Sequence, residues 1–246
     1  MHLAYVSLLQ IQRDLYHLPR GGERFQEYLR TMIDADTGEL KLPLVAMNPM
    51  GKEHVSAFLE RLLAMNADAV AGDALNDTRA KLSDVPGEYK AGLVVSDDLK
   101  GGWTNRYFAE FGYCFQQKPY YQRGWITIIL WTSENYTPQL VREEMLTCLF
   151  RSAYVQRWGY ARTLGEMLKQ EGYARHNAGA TTPLLEPEDL AYTREVLAPD
   201  LACTDYPTII AALFGDAAAH QLGYQPLGLS PRAGLALGLS EARAHT

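Results

Sequence analysis

Three short polar segments hold the side chains best suited to chemistry, and each follows an apolar run. The first is Asn48-Pro-Met-Gly51-Lys52-Glu53-His54, ahead of a helical pattern. Gly51 and Lys52 stand where that helix begins, and unpaired amides with the helix dipole favour an anion there. The second is Ser96–Arg106. Asp97 and Asp98 offer oxygens to a divalent ion such as Mg or Mn, or a base to a substrate. Gly101-Gly102 permits close approach of a ligand. Trp103 and Asn105 would line the site, and Arg106 suits a carboxylate or phosphate. The third is Ser133-Glu134-Asn135, where Glu134 is a further base or metal ligand. An ordinary polar loop, its aspartates capping turns, is the competing reading of the second segment.

Two known arrangements are partly matched. Trp125–Trp158 resembles the strand and active-site helix of zinc metallopeptidases, in which HExxH supplies two histidines and a glutamate. Here Glu143 takes the first histidine position, Glu144 the glutamate position and Thr147 the second histidine position. The resemblance implies a peptidase-like shape without its zinc ligands, acting as a non-catalytic binding or structural module. Such a module would carry an antiparallel strand beside the helix. Glu144, Thr147 and Arg151 share a helix face, as a polar strip or a surface charge pair. The run Ala46–Glu53 is similar to a P-loop, and Leu93–Asp97 to the strand carrying a magnesium-linked aspartate. It departs from the P-loop at Ala46, Pro49 and Glu53, where the first glycine, a phosphate-binding amide and the magnesium-binding hydroxyl belong.

No dinucleotide fingerprint, nucleophile elbow, CxxC pair, haem motif or structural zinc motif is present. A divalent metal remains open as a cofactor. The histidines at 2, 17, 54, 176, 220 and 245 are scattered. Asp216 and His220, four apart on one helix, read as a side-chain pair. Cys148 reads as a small buried hydrophobe.

The elements that must position these groups follow from periodicity. Residues 5–18 suit a helix closed by Pro19-Arg-Gly-Gly22. Phe25, Tyr28, Leu29 and Met32 form one helical stripe. Leu40–Met47 predicts an edge strand carrying Pro43. Val55, Phe58, Leu59, Leu62 and Leu63 mark a helix, and Ala67–Leu82 another. Tyr89–Val95 and Trp125–Thr132 are the second and third strands, with 107–116 ambiguous between periods. Thr137 and Pro138 open a helix to Trp158. A further helix runs from about Arg162 to Glu171 and stops at Gly172. Pro187 and Pro207 open the last two, and leucines 227, 229, 235, 237 and 239 suggest an edge strand.

These elements predict a helix-rich mixed α and β fold, with a small central sheet of at least three strands covered by helices. Parallel order is favoured. The 246 residues read as one domain, with a possible helical subdomain from about 184. The net charge of −6 and the interleaved acids among the arginines of 142–175 argue against nucleic acid as a partner. No apolar run approaches the ~20 residues of a membrane span. Three cysteines and no basic leader point to a soluble, cytoplasmic protein.

Parallel strands would bring the three corners to one edge of the sheet, the usual ligand crevice of open α/β folds. The leading reading is a site for a small polar or anionic molecule. Lys52 and Arg106 would hold the anion, while Asp97, Asp98 or Glu134 would bind metal or act as base. The alternatives are the peptidase-like module, in which Glu144 faces a groove, and an oligomer assembled through Tyr107, Phe108, Phe111, Tyr113, Phe115, Tyr120 and Tyr121.

Overall fold

A computed structural model describes residues 1–99 and 105–245. In chain order the elements are β1 (His2–Tyr5), α1 (Leu9–His17), α2 (Gly22–Met32), α3 (Glu53–Ala64), α4 (Ala67–Thr78), β2 (Glu88–Ser96), α5 (Arg106–Phe115) and α6 (Lys118–Tyr121). Then follow β3 (Trp125–Trp131), α7 (Pro138–Trp158), α8 (Leu164–Ala178), α9 (Pro187–Leu197), α10 (Tyr206–Phe214), α11 (Asp216–Leu222) and α12 (Ala233–Ala244). The chain divides into two compact units: Met1–Thr104 with Gln117–Met145, and Asn105–Gln116 with Leu146–Thr246.

The first unit holds the sheet. Its order is β1-β2-β3, and both pairings are parallel, with Leu3 opposite Tyr89 and Leu93 opposite Ile128. Every residue of β3 is buried, as is β2 from Ala91 onwards. That is why both strands read as continuous apolar runs, since helices cover both faces of a parallel sheet. Leu8 and Leu9 of the α1 start, Leu59 and Leu62 of α3, and Leu75 of α4 are buried in this unit.

β1 spans too few residues to meet all of β2, and a side chain extends the edge. Gln12 on α1 is fully buried; its Nε2 donates to Leu93 O at 2.9 Å, and its Oε1 accepts from Val95 N at 2.8 Å. One primary amide thus satisfies a buried carbonyl and a buried N–H that a neighbouring strand would otherwise satisfy.

The expected strand over Leu40–Met47 is not formed. Leu40 makes an isolated antiparallel bridge to Ile33, and Leu44–Ala46 is a short 3-10 turn. Leu44, Ala46 and Met47 are apolar because they are buried, without joining a ladder.

The second unit contains helices and loops, with no strand among its described residues. α7 contributes Leu146 onwards to it, and α5, ambiguous by periodicity, is a helix with Phe111, Cys114 and Phe115 buried. These residues join Leu164, Leu168, Leu213, Phe214, Leu235 and Leu237 in one core. Gly172 does not stop α8. A Cβ there would lie 2.3 Å from Gly238 O, so the glycine lets α12 approach closely. The alternating leucines 235, 237 and 239 lie on helix α12, not on a strand, and Ala233–Leu239 is buried on every side. Two more helices follow the one near Pro207.

Of the dense aromatics around 107–121, Phe111, Phe115 and Tyr121 are buried, while Phe108 is exposed. Among the described residues no helix is long and apolar enough to cross a membrane.

Candidate functional site

Parallel pairing places the residues after β2 and after β3 at the same edge of the sheet. There Asp97 follows Ser96, and Thr132 follows Trp131. Thr132 Oγ1 lies 3.1 Å from Asp97 Oδ1 and 3.1 Å from Asp98 Oδ1. Asp98 accepts from Ser133 N at 2.9 Å and from Ser133 Oγ at 2.6 Å. Its backbone N–H in turn donates to Thr132 Oγ1. Asp98 thus ties the two strand ends together.

Asp97 is placed differently. Its side chain is 2% exposed, and Oδ1 lies 2.7 Å from His54 Nε2. The same oxygen accepts from Leu99 N at 3.2 Å. His54 sits in the first turn of α3, and its side chain keeps 19% of its exposure. A buried carboxylate bonded to one ring nitrogen fixes the imidazole's orientation and its tautomer. The carboxylate then favours the proton on Nε2. Nδ1 makes no hydrogen bond to a described residue, which leaves it able to accept or deliver a proton.

The corner ahead of α3 is built by its own turn and by Tyr16. Asn48 Oδ1 accepts from Met50 N at 3.0 Å, and Gly51 N donates to Asn48 O at 2.9 Å. The Tyr16 hydroxyl also donates to Asn48 O. Burial, and then the charge of Asp97, push that hydroxyl well above the usual tyrosine range. A Cβ on Gly51 would lie 2.8 Å from the Tyr16 hydroxyl and 2.9 Å from Val55 Cγ2, so a larger residue would have to displace them. The Arg24 guanidinium lies 5.2 Å from the centre of the Tyr16 ring and donates to the carbonyls of Tyr16 and Leu18.

A groove of 440 Å³ opens on this corner, lined by Tyr16, Arg20, Arg24, Gly51, Lys52 and Ser56, with Glu53 and Glu60 on its acidic side. Arg20 donates to Met50 O, and Glu60 is paired with Arg13. Lys52 is exposed and has no acidic partner among the described residues. No side chain caps α3. His54 and Asp97 do not line this groove. Groove and dyad meet only along Gly51–His54.

Glu134 lies in the turn after β3, its N–H donating to Trp131 O at 3.1 Å. Trp103 falls outside the described residues. Asn105 and Arg106 belong to the second unit. There Asn105 caps α5 by accepting from Tyr107 N and Phe108 N. Arg106 donates to Glu110 at 2.9 Å, and Arg232 grips the same carboxylate at 2.7 and 2.9 Å. Burial opposes the Glu110 charge, but Arg232 and then Arg106 outweigh it and hold the carboxyl well below the usual range.

On α7, Glu143 is buried and accepts from Gln139 at 3.0 Å, Glu144 is half-buried, and Thr147 is buried. β3, the strand before this helix, pairs in parallel with β2, whereas the peptidase-like reading asks for an antiparallel strand. Arg151 is no surface partner of Glu144; it is buried on Glu171. Asp216 does not pair with His220. Its carboxylate accepts from the N–H groups of Leu227, Gly228 and Leu229. Among the described residues no three His, Cys, Asp or Glu side chains gather as metal ligands.

Sequence reasoning isolated Asp97 but did not single out His54, a scattered histidine whose partner lies 43 residues away. The one available signal was its place beside Lys52, in a corner already marked as polar. No family model, no curated protein and no solved structure matches this chain.

Proposed function

We propose that the first unit binds a small polar, anionic molecule at the carboxyl edge of its sheet. In this reading His54 exchanges a proton with the bound molecule, and Asp97 positions His54. The observation that carries the reading is the 2.7 Å contact between His54 Nε2 and the buried Asp97. A buried carboxylate costs stability unless it is well paired, and one spent on orienting a partly exposed imidazole is the pattern of acid–base sites. Lys52 and the uncapped first turn of α3 supply positive potential for the anion. Asp98, Thr132 and Ser133 hold the edge in register. The wider reading places the protein in the cytoplasm, consistent with the absence of a disulfide between its cysteines.

Inorganic phosphate is a suitable first probe, followed on the amide resonances of Glu53 and His54. Saturable shifts, weakened at least tenfold in Lys52→Ala and His54→Asn, support the site. A response that matches chloride at equal ionic strength sinks it. Asp97→Asn should leave phosphate affinity within a few-fold but move the His54 ring proton from Nε2 towards Nδ1. Long-range nitrogen–proton spectra of the ring read that change directly.

A further inference from the structure

A second, independent group of charges lies inside the helical unit. Arg151 on α7 grips Glu171 on α8 with two bonds, Nε to Oε1 at 2.6 Å and Nη2 to Oε2 at 2.8 Å. Gln170 Nε2 also approaches Oε1, at 3.5 Å, while donating to Cys114 O at 2.9 Å. Arg151 thus takes the closest bond to each oxygen of the Glu171 carboxylate.

Arg175, one turn further along α8, has only the remainder. Its Nε stands 3.6 Å from Glu171 Oε2, beyond hydrogen-bond reach. Its side chain is 9% exposed, and its buried Nε–H finds no acceptor. Two guanidiniums thus face one carboxylate, with a surplus positive charge. Cys114, close enough to couple to both arginines, supplies no balancing charge. Burial first, opposed by Arg151, pushes its thiol well above the ordinary range, so it stays neutral.

The end of α8 does not account for Arg175. Gly179 N and Ala180 N already satisfy the carbonyls of His176 and Arg175. The helix dipole favours a cation in this last turn but provides no acceptor for Nε–H. Buried polar groups are nearly always partnered, and an exception asks for a reason.

We propose that Arg175 anchors an oxyanion site in the helical unit, taking a carboxylate or phosphate group of a ligand. The guanidinium fork suits such a group in two parallel bonds. Arg151 is held away from the ligand by Glu171 and adds only its field.

The test uses the full chain with 15N-labelled arginine, following the Nε–H resonances of Arg175 and Arg151. Inorganic phosphate and acetate are titrated separately against chloride at constant ionic strength. A saturable shift of the Arg175 signal is expected with at least one of them. Phosphate alone assigns a phosphorylated ligand, acetate alone a carboxylate, and both assign a general oxyanion site. Arg175→Lys should weaken the response, read on the Arg151 signal, at least tenfold, and Arg175→Met should abolish it. Shifts that rise linearly and match chloride overturn the proposal, as does unchanged saturation in Arg175→Met. The signals of α3 are separate, so this site and the one at His54 succeed or fail independently.

Discussion

Replacing Gln12 tests whether one side chain completes the sheet edge that leads to Asp97. In Gln12→Leu the Leu93 carbonyl and the Val95 N–H lose their partners at a fully buried position. Each orphaned group costs about 1–3 kcal/mol, so the pair costs about 2–6 kcal/mol. Burying a leucine side chain instead returns about 1.5–3 kcal/mol. Taking the middle of each range, about 4 less about 2, the net loss expected is about 2 kcal/mol. Amide hydrogen exchange across Glu88–Ser96 reads it in the right unit, and Val95 should lose most protection.

Gln12→Glu sharpens the test. A neutral glutamic acid can donate to Leu93 O and accept from Val95 N, as the amide does. An ionised one can only accept, and carries a buried charge. The folded pKa of that carboxyl should therefore be raised above the unfolded value of about 4.3. For an acid with a raised folded pKa, the folded state holds more protons, so stability relative to the parent recovers as pH falls. The variant should be markedly weaker than the parent at pH 7 and close to it below the unfolded value. If Gln12→Leu matches the parent, or Gln12→Glu shows no recovery in acid, the side-chain amide is not what completes the edge.

Four further outcomes follow from other sites. Glu171→Gln leaves two buried guanidiniums without a carboxylate and should cost about 3–5 kcal/mol, whereas Arg175→Met removes the surplus charge and should be neutral or stabilising to within about 1 kcal/mol; exchange of the α8 amides distinguishes them. In Gly172→Ala a helix-propensity gain of about 1 kcal/mol is outweighed by overpacking of about 1–3 kcal/mol or more, because the new methyl meets Gly238 O at 2.3 Å. Gly72→Ala in α4 should instead stabilise by about 0.5–1 kcal/mol, since its nearest neighbour, Tyr5 Cδ1, stands at an ordinary 3.5 Å; urea melts of the two variants should move in opposite directions. Glu110 and Glu171 both have depressed pKa values, where burial is outweighed by Arg232 and Arg106 for the first and by Arg151 and Arg175 for the second. Their stabilisation is complete above the unfolded glutamate value of about 4.3 and drains as pH falls towards the folded values, so α5 and α8 should lose exchange protection in acid.

What was legible in the sequence was what burial writes plainly. β3 and the inner part of β2 are covered on both faces, so they show as unbroken apolar runs. The helices α2, α3 and α4 bury one stripe each and show its period. Errors came where burial and secondary structure part company. Leu44, Ala46 and Met47 are as buried as strand residues but sit in a 3-10 turn. Ala233–Leu239 is buried all round, and a helix buried on every side has no period to betray it. Its alternating leucines imitated a strand. β1 is four residues, too short to display alternation. Gly172 carries opposite meanings, helix stop or close contact, and only the position of α12 decides between them.

The site divides along the same line. Asp97 and Asp98 were visible because they follow a strand in sequence, yet their chemistry differs for a reason sequence does not hold. Asp98 is consumed by Thr132 and Ser133, which are 34 and 35 residues away. Asp97 reaches across to α3 and leaves part of an imidazole exposed. Two adjacent carboxylates thus acquire different tasks, Asp98 from the register of β2 on β3 and Asp97 from the placing of α3. Shifting that register by one residue would carry Thr132 and Ser133 away from Asp98, and the tie would go. The parallel pairing of Ser96 with Trp131 is therefore the structural condition for the tie that ends both strands beside Asp97.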